Sequence, residues 1–377
     1  MSIIKNGGVD SAQKPLLAVP YEGTNAPPPF RRHIVAVGDL HGDYPNARKV
    51  LQFSGVTDDR GKWSGDIDVF VQTGDIIDRG DDTIKLFTWM DELREQAEAA
   101  GAVMLSHLGN HEWMNAIGDW RYVWKSEIKT FGSVRARQKM ISSGPIGQSW
   151  AHNYTVATRL PLHPFLGPPN IPYPLSHTAD TSPLSHSALS FVHGGLSPTY
   201  SNLSPFPSKI NDLGTSLLHK LQDRVQPPPH PPHRYPGLPK DATEEEEELY
   251  SGDGPLWYRG WALNDDVCEV VDEVLNQTGT RRMIMGHTPD FHNIVSRCDG
   301  KIIIIDTGIS HAYGGALSAL DIQYELIPVA PIAGDDRSDW LYEERETVSA
   351  VYVDRMELIK QDVRQVVGNF EVLVDYD

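Results

Sequence analysis

Five short apolar runs along this chain are each followed by a turn that contains glycine and a side chain able to bind a ligand. The runs cover residues 33–37, 67–71, 102–108, 188–191 and 283–285. Apolar runs of this length bounded by glycine predict buried strands. After the second run, apolar residues recur at helical spacing over residues 84–97, and Gly101 stands where that helix should end. The alternation of strand, turn and helix over residues 31–100 therefore predicts parallel βαβ units.

The turns that follow these runs are rich in Asp, Asn and His. Their sequences are Gly38-Asp-Leu-His-Gly-Asp43, Gly74-Asp-Ile-Ile-Asp-Arg-Gly80, Gly109-Asn-His-Glu112, Val192-His-Gly-Gly195 and Gly286-His-Thr-Pro289. Loops at strand ends are where α/β folds hold their ligands. A single turn of this kind is compatible with an ordinary acidic loop, but five in succession indicate one shared site.

The polar residues of the turns form a candidate set of metal ligands. The set consists of Asp39, His41, Asp75, Asn110, His193 and His287. Asp75 would bridge two cations. Residues of the first turn would bind one of these cations, and residues of the third, fourth and fifth turns would bind the other. Nitrogen and oxygen ligands without thiolate favour Mn, with Fe and Zn as alternatives. Two cations about 3.5–4 Å apart can share a hydroxide that attacks a phosphoester directly, so the pattern predicts phosphoester hydrolysis without a covalent intermediate.

Four further residues are candidates for the chemistry itself. His111 follows the ligand Asn110, and pairing with Asp78 would let it stay protonated and donate to the leaving oxygen. Arg79 could hold phosphate oxygens bidentately. Arg259, in Leu256-Trp-Tyr-Arg-Gly260, is the candidate for a second phosphate-binding arginine, with an ordinary surface or salt-bridged arginine as the alternative. Together with Asn110, the two arginines Arg79 and Arg259 make up the candidate substrate-binding residues.

Composition narrows the class of protein. The 377 residues contain 33 Lys and Arg against 51 Asp and Glu, a formal net charge of −18 that argues against nucleic acid and anionic membranes as partners. Cys268 and Cys298 are the two cysteines, and we expect free thiols in a reducing compartment, with pairing as the alternative. No signal peptide and no transmembrane stretch is found. These features predict a soluble cytoplasmic protein.

The chain divides into a main domain with flanking and inserted segments. We predict an N-terminal arm at residues 1–30, a catalytic domain at 31–330 and a folded extension at 331–377. Two proline-rich surface insertions, about 161–187 and 226–252, are expected to be extended or disordered and could dock partner proteins. Their histidines, and the five glutamates at 244–248, are expected to be solvated.

The joint set of turns resembles the calcineurin-like metallophosphoesterases and, within them, the phosphoprotein phosphatase branch. That branch also carries Arg after the second Asp of the second turn, and Glu after Asn-His. The resemblance spans residues 33–321 and implies an α/β fold, a β-sandwich of two mixed sheets flanked by helices, with a dinuclear site at the strand ends. It also implies that the six candidate ligands bind the metals, that His111 is the acid with Asp78 as its partner, and that Arg79 holds phosphate.

Departures from the usual eukaryotic Ser/Thr phosphatase pattern indicate a subfamily. Leu108 stands where Arg is usual, and Met285-Gly-His-Thr-Pro289 and Asp306-Thr-Gly-Ile-Ser310 replace the usual later motifs. These features resemble the bacterial-type, Shewanella-like protein phosphatases. The resemblance implies phosphoprotein or phosphopeptide substrates, with phosphotyrosine preferred in part of the group.

Two other functions stay open at this stage. A dinucleoside tetraphosphate hydrolase of the same superfamily would share Gly-His-Thr-Pro, but bacterial members typically have Asp where Glu112 stands. A metal-binding scaffold that docks partners through its proline-rich insertions would have no need of His111, Asp78 and Arg79. We therefore favour a protein phosphatase over both alternatives.

Overall fold

Two β-sheets form the centre of the protein. The computed structural model describes residues 26–174, 182–332 and 339–370. The strands in these ranges are β1 Phe30–Val37, β2 Val69–Gln72, β3 Val103–His107, β4 Tyr154–Thr155, β5 Ala157–Pro161, β6 Ala188–Val192, β7 Arg282–Met285, β8 Val295–Arg297, β9 Ile302–Ile304, β10 Ser318–Pro331, β11 Trp340–Tyr352 and β12 Met356–Gly368. The five predicted runs all form strands within a few residues of their expected bounds.

Helices follow most of the strands that carry the turns. They are α1 Tyr44–Phe53, α2 Thr83–Ala99, α3 Asn110–Ile117, α4 Lys125–Thr130, α5 Val134–Ile141, α6 Pro145–Asn153, α7 Ser208–Asp223, α8 Glu244–Leu249, α9 Gly260–Leu263 and α10 Val267–Thr278. The predicted helix over 84–97 is α2, which ends just before Gly101, a residue with φ of 77°. An L side chain rarely adopts this backbone conformation, so glycine suits this helix end.

The order of the strands brings the glycine-containing turns together. The first sheet has the order β12-β11-β10-β1-β2-β3-β4, and the second has the order β5-β6-β7-β9-β8. Strands β1, β2 and β3 are parallel, as predicted, and β6, β7 and β9 are parallel in the second sheet. Because the carboxyl ends of parallel strands lie at one edge of a sheet, each sheet gathers its turns at one edge.

Side-chain alternation divides the apolar core into two layers. Ile34 and Ala36 of β1 pack with Phe191 and Ile284 of the second sheet, between the two sheets. Val35, from the opposite face of β1, packs with the helices on the outside. A strand buried on both faces has few polar positions, which accounts for the apolar runs in the sequence. The arrangement confirms the predicted α/β class, a sandwich of two mixed sheets flanked by helices.

The segment beyond Pro331 contributes to the same sheet as the N-terminal strands. β11 pairs antiparallel with β10, and β12 pairs antiparallel with β11 at the edge of the sheet. In the arm predicted for residues 1–30, residues 1–25 lie outside the described ranges, as does His177 of the first proline-rich segment. Among the described residues no helix is long and apolar enough to cross a membrane.

Two local expectations were wrong. The ring of His163 is buried, 4.5 Å from the ring of Phe30, because the first proline-rich segment folds back onto the core there. Glu246, expected to be solvated, is buried in α8, where it accepts hydrogen bonds from Ser216 Oγ and Lys220 Nζ. The second proline-rich segment is also held in place: Trp120 N donates to His230 O at 2.6 Å.

The expectation of free thiols was also wrong. Cys268, in the first turn of α10, forms a disulfide with Cys298, which follows β8, and the two Cα atoms are 5.1 Å apart. The sequence spacing did not show that α10 packs beside the end of β8, so pairing could not be derived from it. With the thiols paired, the cysteines no longer support the predicted reducing compartment.

The disulfide should stabilise the folded state. It closes a loop with a sequence separation of 30 residues, and a loop of this size is expected to contribute about 2–4 kcal/mol by restricting the unfolded chain. We expect Cys268→Ser to lower the free energy of unfolding by about this amount in denaturant titrations. Under reducing conditions the difference between this variant and the unmodified protein should vanish. A difference that persists would show that the serine itself perturbs α10.

Candidate active site

The turn after β2 places Asp75 at the centre of a buried cluster. Asp75 Oδ2 lies 3.3 Å from His193 Nε2, 3.7 Å from His41 Nε2 and 3.9 Å from His111 Nε2. Two groups of side chains could each hold a metal ion: Asp75 with His41 and His111, and Asp75 with His193 and His287. Asp75 belongs to both groups, as expected for a carboxylate that bridges two cations.

The remaining predicted ligands lie around these groups. Asn110 Oδ1 is 2.8 Å from His193 Nε2, and Asp39 Oδ2 is 3.9 Å from His41 Nε2. Asp39 and Asn110 are both buried. The structure thus brings all six predicted ligands together from the ends of β1, β2, β3, β6 and β7. The sequence could indicate the turns, whereas their proximity comes from the pairing of the two sheets.

Backbone carbonyl groups orient the histidine rings. His41 Nδ1 lies 3.0 Å from Ile77 O, and His193 Nδ1 lies 2.9 Å from Thr73 O. In both rings Nε2 is therefore left to face the cluster. His287 is oriented in the opposite sense, since its Nε2 lies 3.2 Å from Trp257 O and its Nδ1 remains for the site. A carbonyl on the far nitrogen is the usual support of a metal-binding imidazole.

The carboxylate of Glu112 holds two of the turns together. Its Oε1 accepts hydrogen bonds from the backbone N–H groups of Ile76 and Ile77, and its Oε2 accepts them from Asp75 and Gly109. Burial raises the pKa of Glu112 to about 8. Both oxygens nevertheless accept N–H bonds, and this geometry favours the ionised carboxylate. Glu112 therefore explains why Glu follows Asn-His: it accepts the backbone donors of the turn that carries Asp75.

Several site residues have a backbone conformation that side chains rarely adopt. The φ angles of His41, Asp75, Asp78, Arg79 and His287 are all positive, between 42° and 69°. Such conformations cost energy and persist only when surrounding contacts enforce them. The contacts of Glu112 are one such constraint on the turn after β2. Backbone strain concentrated in three predicted turns is an independent sign that these turns are functional.

His111 and Asp78 form the predicted pair. His111 Nδ1 lies 2.7 Å from Asp78 Oδ2, and Asn115 Nδ2 donates to Asp78 Oδ1 at 2.9 Å. Burial, followed by the charge of Arg79, lowers the pKa of His111 well below its ordinary value. Burial also raises the pKa of Asp78 to about 6, although the charge of Arg137 opposes this shift. The pairing predicted from the sequence is present, whereas burial of the ring opposes its protonated form.

The two candidate arginines differ in their contacts. The guanidinium of Arg79 sits between two aromatic rings, 4.2 Å from the centre of Tyr122 and 4.9 Å from that of Tyr313, and its buried Nε has no hydrogen-bond partner among the described residues. Arg259 Nη1 donates to His287 O at 2.8 Å and to Thr288 Oγ1 at 3.1 Å. The structure therefore places Arg259 at the site rather than in a remote surface pair.

The ionisation of the cluster fits cation binding. Burial lowers the pKa of His41 and His287, and it raises the pKa of Asp39 and Asp75. Neutral imidazole is the form that coordinates a metal ion. Buried carboxylates that lack enough compensating charge are stabilised by divalent cations. Both the donor types and their electrostatics therefore fit two divalent cations.

Asp306 belongs to the site but was not among the predicted site residues. It lies two residues after β9 and is buried, and its negative charge adds to burial in raising the pKa of Asp39. Its Oδ1 also accepts the backbone N–H of Gly308 at 2.9 Å. The signal was present in the sequence, because Asp306 ends an apolar run as the other site residues do. Its proximity to Asp39 depends on the two sheets facing each other.

Comparison with known proteins agrees with this geometry. Residues 32–291 match the family model of the calcineurin-like phosphoesterases. The chain belongs to this family, whose members hold a dinuclear divalent metal site. A relative in Schizosaccharomyces pombe, an uncharacterized protein, is 36% identical over 77% of this chain and 76% of its own length. Shewanella-like protein phosphatase 2 of Arabidopsis thaliana is 26% identical over 74% of this chain and 71% of its own length, so the predicted subfamily is confirmed.

A solved structure shows the same fold. The cold-active protein tyrosine phosphatase of a psychrophilic Shewanella species superposes with a TM-score of 0.60 over 87% of this chain and 80% of its own. The two sequences are 20% identical. The similarity supports the two-sheet architecture derived above.

Gly109 offers a direct test of the geometry around Asp75. A Cβ atom at this position would lie 2.2 Å from Asp75 Oδ1, so Gly109→Ala must displace that carboxylate. We expect the variant to retain fewer than the two divalent ions per chain that the site should hold, as measured by elemental analysis after dialysis. Gly252→Ala is the matched control, because a Cβ there meets no atom within 4 Å. Equal metal content in both variants would contradict the central position of Asp75.

Proposed function

We propose that this protein is a metal-dependent protein phosphatase that hydrolyses phosphomonoesters, with phosphotyrosine as the preferred residue. The observation that carries the proposal is the position of Asp75. Its Oδ2 is within 4 Å of three histidines, one of which, His111, also pairs with a second buried carboxylate. The name of the Arabidopsis relative, Shewanella-like protein phosphatase 2, supports protein substrates.

The metal ligands are proposed as the residues that the turns bring together. Asp39, His41 and Asp75 would hold one cation, and Asp75, Asn110, His193 and His287 would hold the other. Bound divalent cations would supply an activated water and a charge clamp for phosphoryl oxygens. Nitrogen and oxygen donors favour Mn, with Fe and Zn as alternatives.

Two arginines would orient the phosphoryl group. The planar guanidinium of Arg79 is fixed between Tyr122 and Tyr313, so little conformational entropy is lost when it binds an anion. Arg259 is tied to the loop that carries His287, through His287 O and Thr288 Oγ1. Both bonds use Nη1, which leaves Nη2 for a phosphoryl oxygen. Asn110 would contribute a further contact to substrate from the start of α3.

His111 would transfer a proton at the leaving oxygen. Its Nε2 faces the cluster while its Nδ1 is held by Asp78. Burial lowers the pKa of His111, and a ring that resists protonation gives up a proton readily once it holds one. A negatively charged substrate and its leaving oxygen would favour the protonated ring. Departure of a phenolate should depend less on proton donation from His111 than departure of the more basic serine alkoxide.

Aromatic side chains beside the site support the preference for phosphotyrosine. Tyr313 lies 5.4 Å from the ring of His41, and Phe291, 44% exposed, lies 5.8 Å from the ring of Tyr313. The backbone of Phe291 is held in place because Ala316 N donates to Phe291 O at 3.0 Å. An exposed ring on a fixed loop offers a surface against which a phenyl group can pack.

The alternatives are a dinucleoside tetraphosphate hydrolase and a scaffold without activity. The hydrolase alternative is opposed by Glu112, because bacterial members typically have Asp at this position. Glu112 accepts four backbone N–H bonds, and an aspartate would be one methylene too short to make the same set. The second is opposed by the buried pair of Asp78 and His111. Docking of partners through residues 226–240 is a separate proposal, and the contact of His230 with Trp120 limits how freely that segment could move.

The decisive assay compares substrates on one preparation. Metal-stripped protein re-loaded with Mn should hydrolyse phosphotyrosine peptides faster than phosphoserine or phosphothreonine peptides, and should leave diadenosine tetraphosphate intact. Asp75→Asn should abolish turnover, because it weakens the bridging ligand. Initial rates measure both effects. Turnover of the dinucleotide alone would instead establish the hydrolase, and metal binding without any turnover would favour the scaffold.

Phe291 tests the preference for phosphotyrosine. Loss of an aromatic packing partner costs about 0.5–1.5 kcal/mol, so Phe291→Ala should lower kcat/KM for phosphotyrosine peptides by about 2- to 10-fold. Phosphoserine peptides should be unaffected. Leu358→Ala, on the exposed edge of β12, is the matched control and should change neither rate. Equal losses on both peptides would mean that Phe291 supports the loop rather than the substrate ring.

A further inference from the structure

A buried arginine on α5 lies behind the pair of His111 and Asp78. Arg137 is completely buried, whereas the flanking Arg135 and Lys139 on the same helix are exposed. Its guanidinium packs against the rings of Trp120, at 4.4 Å, and Phe131, at 5.3 Å. A buried guanidinium is costly unless its donors are used. The groups that accept hydrogen bonds from Arg137 therefore indicate its role.

The donors of Arg137 lead towards the catalytic pair. Nη1 donates to Asn115 Oδ1 at 2.7 Å, and Nη2 donates to Glu127 Oε1 at 3.0 Å. Nη2 also lies 3.6 Å from Asp78 Oδ1. Glu127 is held in turn by Thr83 Oγ1, which donates to it at 2.7 Å. The guanidinium thus connects α4 and α5 to the residues behind His111.

The contact with Asn115 determines which end of that amide faces Asp78. Because Arg137 can only donate, it requires the amide oxygen of Asn115 on its side. The amide nitrogen is then directed at Asp78 Oδ1, at 2.9 Å, and at His111 O, also at 2.9 Å. In the reverse orientation, the amide oxygen would face the carboxylate of Asp78 and repel it. One lone pair of Asp78 is thus occupied, and Oδ2 is left for His111.

We propose that Arg137 is a positioning residue for proton transfer at His111, acting through Asn115 and Asp78. The proposal rests on the proposed function, in which His111 transfers a proton to the leaving oxygen. Three consecutive hydrogen bonds connect Arg137 Nη1 to the His111 ring. The helical segment 125–141 therefore does more than pack beside the site, because it supplies the group that orients the catalytic pair.

A purely structural role makes a different prediction. Arg137 lies between two buried carboxylates, Asp78 and Glu127, so its removal should destabilise the fold under either view. The two views differ in how the loss of activity depends on the leaving group. A general loss of active protein lowers all rates equally, whereas a misplaced His111 matters most when the leaving oxygen is a poor leaving group.

The test uses phenyl phosphate and p-nitrophenyl phosphate on the Mn-loaded enzyme. We expect Arg137→Met to lower kcat/KM for both substrates, and the loss for phenyl phosphate should exceed the loss for p-nitrophenyl phosphate by about 10-fold or more. General acid catalysis contributes about 10²–10⁴-fold in total, so the expected difference is a fraction of that contribution. Glu127→Gln is the matched control: it removes the charge on the opposite side of the same network, keeps an oxygen that accepts from Arg137, and should lower both rates alike. Arg137→Lys, which retains the charge, should recover part of the selective loss, and it decides the question if the methionine variant does not fold.

A double-mutant cycle with His111→Asn completes the test. If Arg137 acts through His111, Arg137→Met should add little further selective loss in the His111→Asn background. Equal losses on both aryl phosphates, or a full additional loss in that background, would overturn the proposal. If His111→Asn itself produces no dependence on the leaving group, the acid role is wrong and the role of Arg137 falls with it. If the enzyme hydrolyses the aryl phosphates but not phosphopeptides, the proposed substrate class is rejected. The test of Arg137 still stands in that case, because it uses only aryl phosphates.

Discussion

The carboxylate of Glu112 is the constraint on which the site depends. It accepts the N–H groups of three consecutive residues after β2 and of the residue that precedes α3. A single buried acceptor thus joins the turn of Asp75 to the turn of Asn110 and His111. Without it, the backbone donors of a strained turn would be buried and unpaired, a cost of about 1–3 kcal/mol for each group. The geometry of Asp75 follows from this contact.

The same turns carry charges that would be unfavourable in an apolar interior. Asp39, Asp75, Asp78 and Asp306 are all buried within one site, and burial raises the pKa of each of them. Divalent cations would offset this cost on one side, and the charge of Arg137 opposes the shift of the Asp78 pKa on the other. The site therefore combines a group of candidate metal ligands with a hydrogen-bonded region behind His111 and Asp78.

The structure departs from sequence expectations mainly where distant segments meet. His163 and Glu246 were expected in solvent because their neighbours in sequence are proline-rich or acidic, yet tertiary contacts bury both. The cysteines pair because α10 packs beside the end of β8. Local composition describes the solvent preference of a segment, but it does not contain the contacts that the segment makes after folding.

The sequence by itself determined the strands, the turns that follow them and the chemical types in the site. Buried strands require apolar residues, and ligand chemistry requires Asp, Asn and His in adjacent turns, so both leave a local pattern. The tertiary structure alone decided that Asp306 joins Asp39, that Asn115 and Arg137 support Asp78, and that Arg259 lies beside His287. These contacts join residues on different strands and helices, and they depend on the way in which the two sheets and the helices pack.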